Sequence, residues 1–383
     1  MNKLIRNLKY FLLRAYKTIY QASYRVLSAF TPLDENKVVL VVSRSQAIEG
    51  NLKYIRDELT IQRPTAKIHL ISSVNKMNLK LFKELFILAG ARYLIIDDYF
   101  LPLYLIKPAK SMKVVQLWHA AGAFKMFGHS TVDKKFGPEK DYLKIIPIHS
   151  NYTHVYVSSP NIIKHYAEAF NMPEENIFPL GVPRTDLFEN KTEIRKTVKK
   201  ITASYPGLSA DKTIILFAPT YRAGNKQKES DVDFVDTLTR LSKDLDADKL
   251  IVYKPHPYLL REKADSLKNL NNIIVAKDFS INEWMLTADA FITDYSSAII
   301  EYAILKKPLA HFVPDLEEYR TGRGLYYPIE EISDGEIIRE YSELSFWINS
   351  RQKNESWDTR KMISFNFSGT SQVAERITRH FLS

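Results

Sequence analysis

From Lys37 onward the chain alternates short apolar runs with stretches in which apolar residues recur every three or four positions. The runs fall at 38–42, 68–72, 93–96, 114–118, 155–158 and 177–180. Their length and Val/Ile/Leu content are those of strands buried on both faces. Segments of helical period lie between several of them, as at 52–61 and 79–89. Pro183 and Asp186 mark a break, and 187–205 reads as a charged helix closed by Pro206-Gly207. A second series of runs follows at 213–217, 250–253, 273–275, 290–292 and 309–312, with helical segments such as 234–245 and 297–305 between some of them. Two β/α series predict two Rossmann-like parallel-sheet domains facing one another. The expected boundaries are 37–185 and 186–365, and a C-terminal helix within 366–383 is a candidate to return to the first domain.

Residues 1–30 carry a different pattern. Leu4, Leu8, Phe11, Leu12, Ala15, Ile19, Ala22 and Val26 recur on one helical face, and Lys3, Arg6, Lys9, Arg14, Lys17 and Arg25 occur with no acid among them. Charges interrupt the apolar run and no small-residue cleavage site follows, so a signal peptide is not expected, nor is a bilayer-spanning segment. The expectation is an amphipathic helix lying in the plane of an anionic membrane surface. The competing reading is a helix packed on the first domain with its basic face in water. Composition adds limits. At 45% hydrophobic and 26% charged residues the chain is neither disordered nor membrane-spanning in class. The absence of cysteine excludes disulfides, thiolate metal sites and a cysteine nucleophile. Lys and Arg outnumber Asp and Glu by 54 to 44, which favours anionic partners.

In doubly wound sheets ligands bind at the carboxyl ends of the strands. Four such ends carry candidate chemistry: His119 with Gly122 and Lys125; Ala218-Pro219-Thr220-Tyr221-Arg222; Lys254-Pro255-His256-Pro257; and Thr293-Asp294-Tyr295-Ser296-Ser297. At the last, an apolar run breaks into hydroxyl residues and then a helical period. Such a helix end presents unpaired N–H groups that suit a phosphate, although a serine there also serves as a simple cap. Each feature has a plainer alternative: a core histidine for His119, a rigid turn around His256, an ion pair for Arg222, an ordinary loop for Gly122 and Lys125. Asp97-Asp98 and Asp231-Val232-Asp233 are expected to be solvated or capping rather than a metal pair, and no metal is expected.

Taken together, the ordered set Trp118-His119-x-x-Gly122-x-x-Lys125-x-x-Gly128, Ala218-Pro219-Thr220-Tyr221-Arg222, His256-Pro257, Thr293-Asp294-Tyr295-Ser296-Ser297 with Glu301-Tyr302-Ala303, and Lys307-Pro308 resembles the CDP-glycerol glycerophosphotransferase family, which builds teichoic acid in Gram-positive cell walls. Ala120 departs from the glycine common after the Trp-His pair in that family. The resemblance implies a GT-B architecture with the site in the cleft between its two domains, the first for acceptor and the second for the CDP-linked donor. It implies transfer of glycerol phosphate from CDP-glycerol to a hydroxyl of an undecaprenyl-diphosphate-linked ManNAc-GlcNAc disaccharide, with release of CMP and no cofactor. His119 would act as general base, His256 would support the departing CMP, and Thr293, Ser296, Ser297 and Arg222 would hold donor phosphate. Gly122 and Lys125 would support the acceptor side. The size of the chain resembles the primases, placed peripherally at the cytoplasmic face of the cell membrane. Chain extension and a ribitol donor stay open as alternatives, as does self-association. A nucleotide-sugar GT-B glycosyltransferase shares the two-domain plan. A basic nucleic-acid-binding protein is not expected, because no recognised motif or basic-aromatic platform is present.

Overall fold

The computed structural model describes residues 3–43, 47–72, 75–132, 134, 137–220, 232–256, 265–322 and 324–383. The chain forms two compact units, one of Met1–Ala120, Phe127–Asp186 and Ser368–Ser383, the other of Ala121–Met126 and Leu187–Phe367. Each has a six-stranded, all-parallel sheet. The α/β reading of the apolar runs therefore holds.

The first sheet comprises β1 (Asp34–Val42), β2 (Lys67–Ser72), β3 (Ala91–Ile96), β4 (Lys113–Gln116), β5 (His154–Tyr156) and β6 (Ile177–Phe178), in the order β2-β1-β3-β4-β5-β6. Val38, Leu40 and Val42 point to one face, as the two-residue period of a strand requires, and bury Leu52, Ile55 and Leu59 of helix α2 (Gly50–Gln62). Val373, Ala374, Ile377 and Phe381 of the terminal helix Val373–Leu382 fill the same cluster. That helix begins on Asp186, whose two carboxylate oxygens accept the Val373 and Ala374 N–H groups at 2.8 and 2.9 Å. An acceptor for orphaned first-turn donors fixes where the returning segment docks.

Helix α1 (Lys3–Phe30) packs on the first unit through a tyrosine-bearing face, while Arg6, Lys9, Arg14 and Arg25 are exposed. Tyr10, Leu13, Tyr20 and Tyr24 are buried. Tyr16 and Tyr20 lie against Phe82 of helix α3 (Leu81–Leu88), and the Tyr20 hydroxyl donates to the Leu81 carbonyl. Lys17 is part of this seam: its amine donates to the Ile145 carbonyl at 2.6 Å, and desolvation lowers its pKa. The apolar residues of the expected membrane face, including Leu4, Leu8, Phe11, Leu12, Ile19 and Val26, stay in solvent, Phe11 at 65% exposure. The helix thus packs as the competing reading required, but leaves its apolar face outward.

The second sheet comprises β7 (Thr213–Phe217), β8 (Lys249–Tyr253), β9 (Ile273–Val275), β10 (Ala290–Thr293), β11 (Leu309–Phe312) and β12 (Glu336–Ile338), ordered β12-β11-β10-β7-β8-β9. Strand β12 was not expected. It is an edge strand with one buried residue of three, so it carries no apolar run to read. The helix expected at 187–205 covers Lys191–Ser204, and that at 297–305 is one α-helical piece, Ala298–Tyr302, followed by a 3-10 turn, Ala303–Leu305. Lys306 ends it in the left-handed region, φ 54°.

Candidate active site

In the first sheet the strand order reverses between β1 and β3, the place where doubly wound folds open a crevice at the carboxyl edge. Beside it lies the end of β4. The expected strand to residue 118 stops at Gln116 because Trp118 adopts a left-handed conformation, φ 52°. That conformation costs a bulky residue about 1–2 kcal/mol. It is held by hydrogen bonds: the Trp118 N–H donates to Gln116 Oε1 at 2.8 Å, and its carbonyl accepts from buried Asn51 Nδ2 at 2.7 Å. The indole stacks on the His119 ring, centroids 4.2 Å apart.

The turn brings His119 Nδ1 to 3.1 Å from the Asp97 carbonyl and 3.7 Å from Asp98 Oδ1. A carbonyl only accepts, so Nδ1 carries the proton and Nε2 the lone pair of the neutral ring. The His119 side chain is 26% exposed and that of Asp98 13%. His119 is therefore not a sealed core histidine. Asp98 is not solvated: its Oδ1 accepts the Tyr99 N–H at 2.8 Å and faces the imidazole, while Asp97 meets the ring through its backbone carbonyl. A buried relay lies behind the Trp118 ring and escaped sequence reading. His149 bonds Tyr99 and Tyr152 hydroxyls through its two nitrogens, both at 3.0 Å, and Tyr152 meets Tyr104 at 2.6 Å. Burial, followed by the nearby His129 and His119, holds the His149 pKa well below the ordinary range.

In the second sheet the order reverses between β7 and β10, which unites two of the expected segments. Buried Asp294 joins them: its carboxylate accepts the Thr220 N–H and the Thr220 hydroxyl, each at 2.8 Å. Thr293 is buried and its hydroxyl donates to the Ala218 carbonyl at 2.6 Å, tying the ends of β7 and β10 together rather than offering that proton to a ligand. Ser296 and Ser297 are half-buried; Ser297 stands at the N-cap position without a side-chain cap bond, and Ser296 Oγ accepts the Ala298 N–H at 3.2 Å. Tyr295 stacks on Tyr319 at 3.6 Å and donates to Asp315. Beneath them, buried His311 donates from Nδ1 to the Asp294 carbonyl at 2.9 Å and accepts at Nε2 from Ser333, 2.8 Å away. Burial pulls its pKa down to about 4.

His256 follows β8, the strand next to β7, and is partly buried. The neighbouring Lys254 amine donates to the Asp278 carbonyl at 3.1 Å, so this cation braces the loop after β9. Arg222, Asp231 and Pro257 lie outside the described residues; Asp233 caps the helix Phe234–Asp244 as expected. The stretch Ala121–Met126 belongs to the second unit. Lys125 forms an antiparallel bridge with Leu325, and Met126 N–H donates to the Gly324 carbonyl. Gly122 has φ 70°, and a Cβ there would stand 2.5 Å from both Asn366 Oδ1 and Ile300 Cδ1. Only glycine fits. The structure thus joins Thr293, Ser296 and Ser297 to the Thr220 segment, and it holds His119 in the first unit and His256 in the second. Among the described residues, no group of three His, Asp or Glu side chains is arranged to hold a metal.

A histidine with its Nδ1 fixed on a backbone carbonyl and a hydroxyl-rich strand end at a switch point are residue types that phosphoryl transfer can use. A sequence profile described as CDP-Glycerol:Poly(glycerophosphate) glycerophosphotransferase matches residues 23–379. The teichoic acid ribitol-phosphate primase of Bacillus spizizenii is 37% identical, over 94% of this chain and 93% of that protein. The teichoic acid glycerol-phosphate primase of Bacillus subtilis is 27% identical, over 76% of this chain and 77% of its own length. In fold, the chain is similar to the wall teichoic acid polymerase TagF, with a TM-score of 0.74 and 21% identity over 99% of this chain and 95% of that one. The chain belongs to the CDP-glycerol:poly(glycerophosphate) glycerophosphotransferase family and is, with it, a phosphotransferase of teichoic acid synthesis.

Proposed function

We propose that this enzyme is a primase that moves ribitol phosphate from CDP-ribitol to a hydroxyl of a lipid-linked saccharide acceptor and releases CMP. The observation that carries the chemistry is the tautomer of His119, with Nδ1–H on the Asp97 carbonyl and the lone pair at Nε2. In the proposed step the acceptor O–H gives its proton to Nε2. The acceptor oxygen forms a bond to the phosphorus bearing the polyol, and the bond from that phosphorus to the CMP oxygen breaks. Asp98, 3.7 Å from Nδ1, would steady the imidazolium that results. We assign the donor to the second unit, where Ser296 and Ser297 would meet phosphate and His256 would support leaving CMP, with Arg222 as a further phosphate contact. Thr293 enters this account as a brace. Gly122 and Lys125 would shape the acceptor-side loop. Phosphoryl transfer asks mainly for placement and charge stabilisation, so this reading includes no metal.

Identity of 37% to a ribitol-phosphate primase, against 27% to a glycerol-phosphate primase, supports ribitol over the glycerol donor that the motifs first suggested. That 37% identity is to a primase, which supports a primase over a chain-extending enzyme. Among the described residues no helix is long and apolar enough to cross a membrane. We assign the exposed apolar face of α1 to the surface of an anionic bilayer, on which a lipid-linked acceptor would be met. The test is CMP release and product mass with CDP-ribitol and CDP-glycerol, each with a synthetic lipid-linked acceptor. The reading expects faster turnover with CDP-ribitol and one added unit. Preference for CDP-glycerol would overturn the donor assignment, and a ladder of products the primase assignment.

A further inference from the structure

The Trp118–His119 turn is held by side chains that come from distant parts of the first unit. Asn51 lies in the first turn of α2, wholly buried, and uses both ends of its carboxamide. Its Nδ2 donates to the Trp118 carbonyl at 2.7 Å, and its Oδ1 accepts the Arg184 backbone N–H at 3.1 Å. Arg184 then reaches back, its Nη2 donating to the His119 carbonyl at 3.0 Å. The result is a closed ring: Asn51 to Trp118, Trp118 to His119 along the chain, His119 to Arg184, and Arg184 to Asn51. Gln116 holds the Trp118 N–H and also donates from Nε2 to the Asp98 carbonyl at 3.2 Å.

Two successive carbonyls are thus fixed in direction, so both peptide planes that flank the His119 Cα are set by partners outside the loop. With the planes fixed, the Cα–Cβ bond of His119 has one direction. The Asp97 carbonyl then selects the ring rotation. A short segment after Pro183 would be an ordinary connection if its only task were to link the units. Instead, it caps the terminal helix through Asp186 and holds the histidine loop through Arg184, two residues earlier.

We propose that Asn51 and Arg184 are positioning residues for His119: through the backbone on either side of its Cα, they aim Nε2 at the acceptor hydroxyl. This rests on the reading of His119 as general base. The consequence is a particular kinetic pattern. Misdirection of a base lowers kcat while leaving donor binding alone, because the donor is assigned to other residues.

The experiment is a double-mutant cycle on the full chain, with CMP release from CDP-ribitol as readout. The variants are Arg184→Gln, Arg184→Lys and Asn51→Asp, in the wild-type and His119→Ala backgrounds. Asn51→Asp keeps an acceptor for the Arg184 N–H and loses the donor to the Trp118 carbonyl. Thermal unfolding of each variant identifies any that fails to fold, and Arg184→Lys serves if a harsher change does. Expected are a fall in kcat of about 10²-fold for Arg184→Gln, unchanged KM for the donor, and partial recovery in Arg184→Lys. In the His119→Ala background the same changes should cause no further loss. A loss that persists there, or a rise in donor KM without a fall in kcat, would overturn the proposal by showing that Arg184 acts apart from His119. Full activity of His119→Ala itself would sink the base reading, an outcome distinct from either.

Discussion

Asp294 ties the ends of β7 and β10 together in the second unit, and its replacement has a calculable consequence. Both carboxylate oxygens accept from Thr220, one from the backbone and one from the hydroxyl, at 2.8 Å each, and the side chain is fully buried. Hydrogen bonds to a charged acceptor contribute about 1.5–3 kcal/mol each. Asp294→Ala removes both and leaves the Thr220 N–H without its acceptor. Because Thr220 is itself partly exposed, water recovers some of the loss. A net cost of about 3–4 kcal/mol is expected. In Asp294→Asn the remaining oxygen still accepts the N–H, and the Thr220 hydroxyl reverses to accept from the new amide. The expected cost falls to about 1 kcal/mol. For a unit of this size those values correspond to roughly 6–16 °C and 2–4 °C in melting temperature. Amide hydrogen exchange over 213–220 localises the effect, since the alanine variant should lose protection at Thr220 and the asparagine variant should keep it. Equal destabilisation by both variants, or full protection at Thr220 in Asp294→Ala, would refute the idea that this carboxylate anchors the segment.

Gly122→Ala should destabilise by about 2–4 kcal/mol, from its positive φ and the overlap with Asn366 and Ile300, read as a drop in urea midpoint. The sign of the His311 effect follows from its lowered pKa: folded imidazole stays neutral while unfolded imidazole gains a proton, so stability present above pH 6.5 is lost as pH falls towards about 4. At about 1.4 kcal/mol per unit this amounts to roughly 3 kcal/mol, and His311→Gln should flatten that part of the stability profile. Replacing Phe11 and Leu12, both mostly exposed, by serine should leave the fold intact and cut partition onto phosphatidylglycerol vesicles about 10-fold or more. Unchanged partition would remove the membrane role of α1.

The fold was legible because both sheets are parallel and their central strands are buried, so most strands announce themselves as apolar runs. The edge strand Glu336–Ile338 has no such run and was invisible. At the site, residue types at strand ends pointed to His119 and to the Thr293–Ser297 segment, since chain order alone places them at a sheet edge. Partnership was harder to read. Asp294 and Thr220 are 74 positions apart, and Asn51 and Trp118 67, so only the sheet order reveals that they meet. Thr293 looks like a ligand donor from sequence because nothing local shows that its hydroxyl serves Ala218. Helix α1 carried a subtler lesson. Its apolar face was plain from the period, yet the face that packs is made of tyrosines and Lys17, whose polar ends reach backbone carbonyls on neighbouring segments.

The most direct test of the account is CMP release from CDP-ribitol by wild type and His119→Ala, with a lipid-linked saccharide acceptor and matched thermal stability. A histidine held as a base at the acceptor hydroxyl should contribute about 10²–10⁴-fold to turnover, so the variant should retain at most about one per cent of it. Near-wild-type turnover in His119→Ala, with the fold intact, would contradict the central claim.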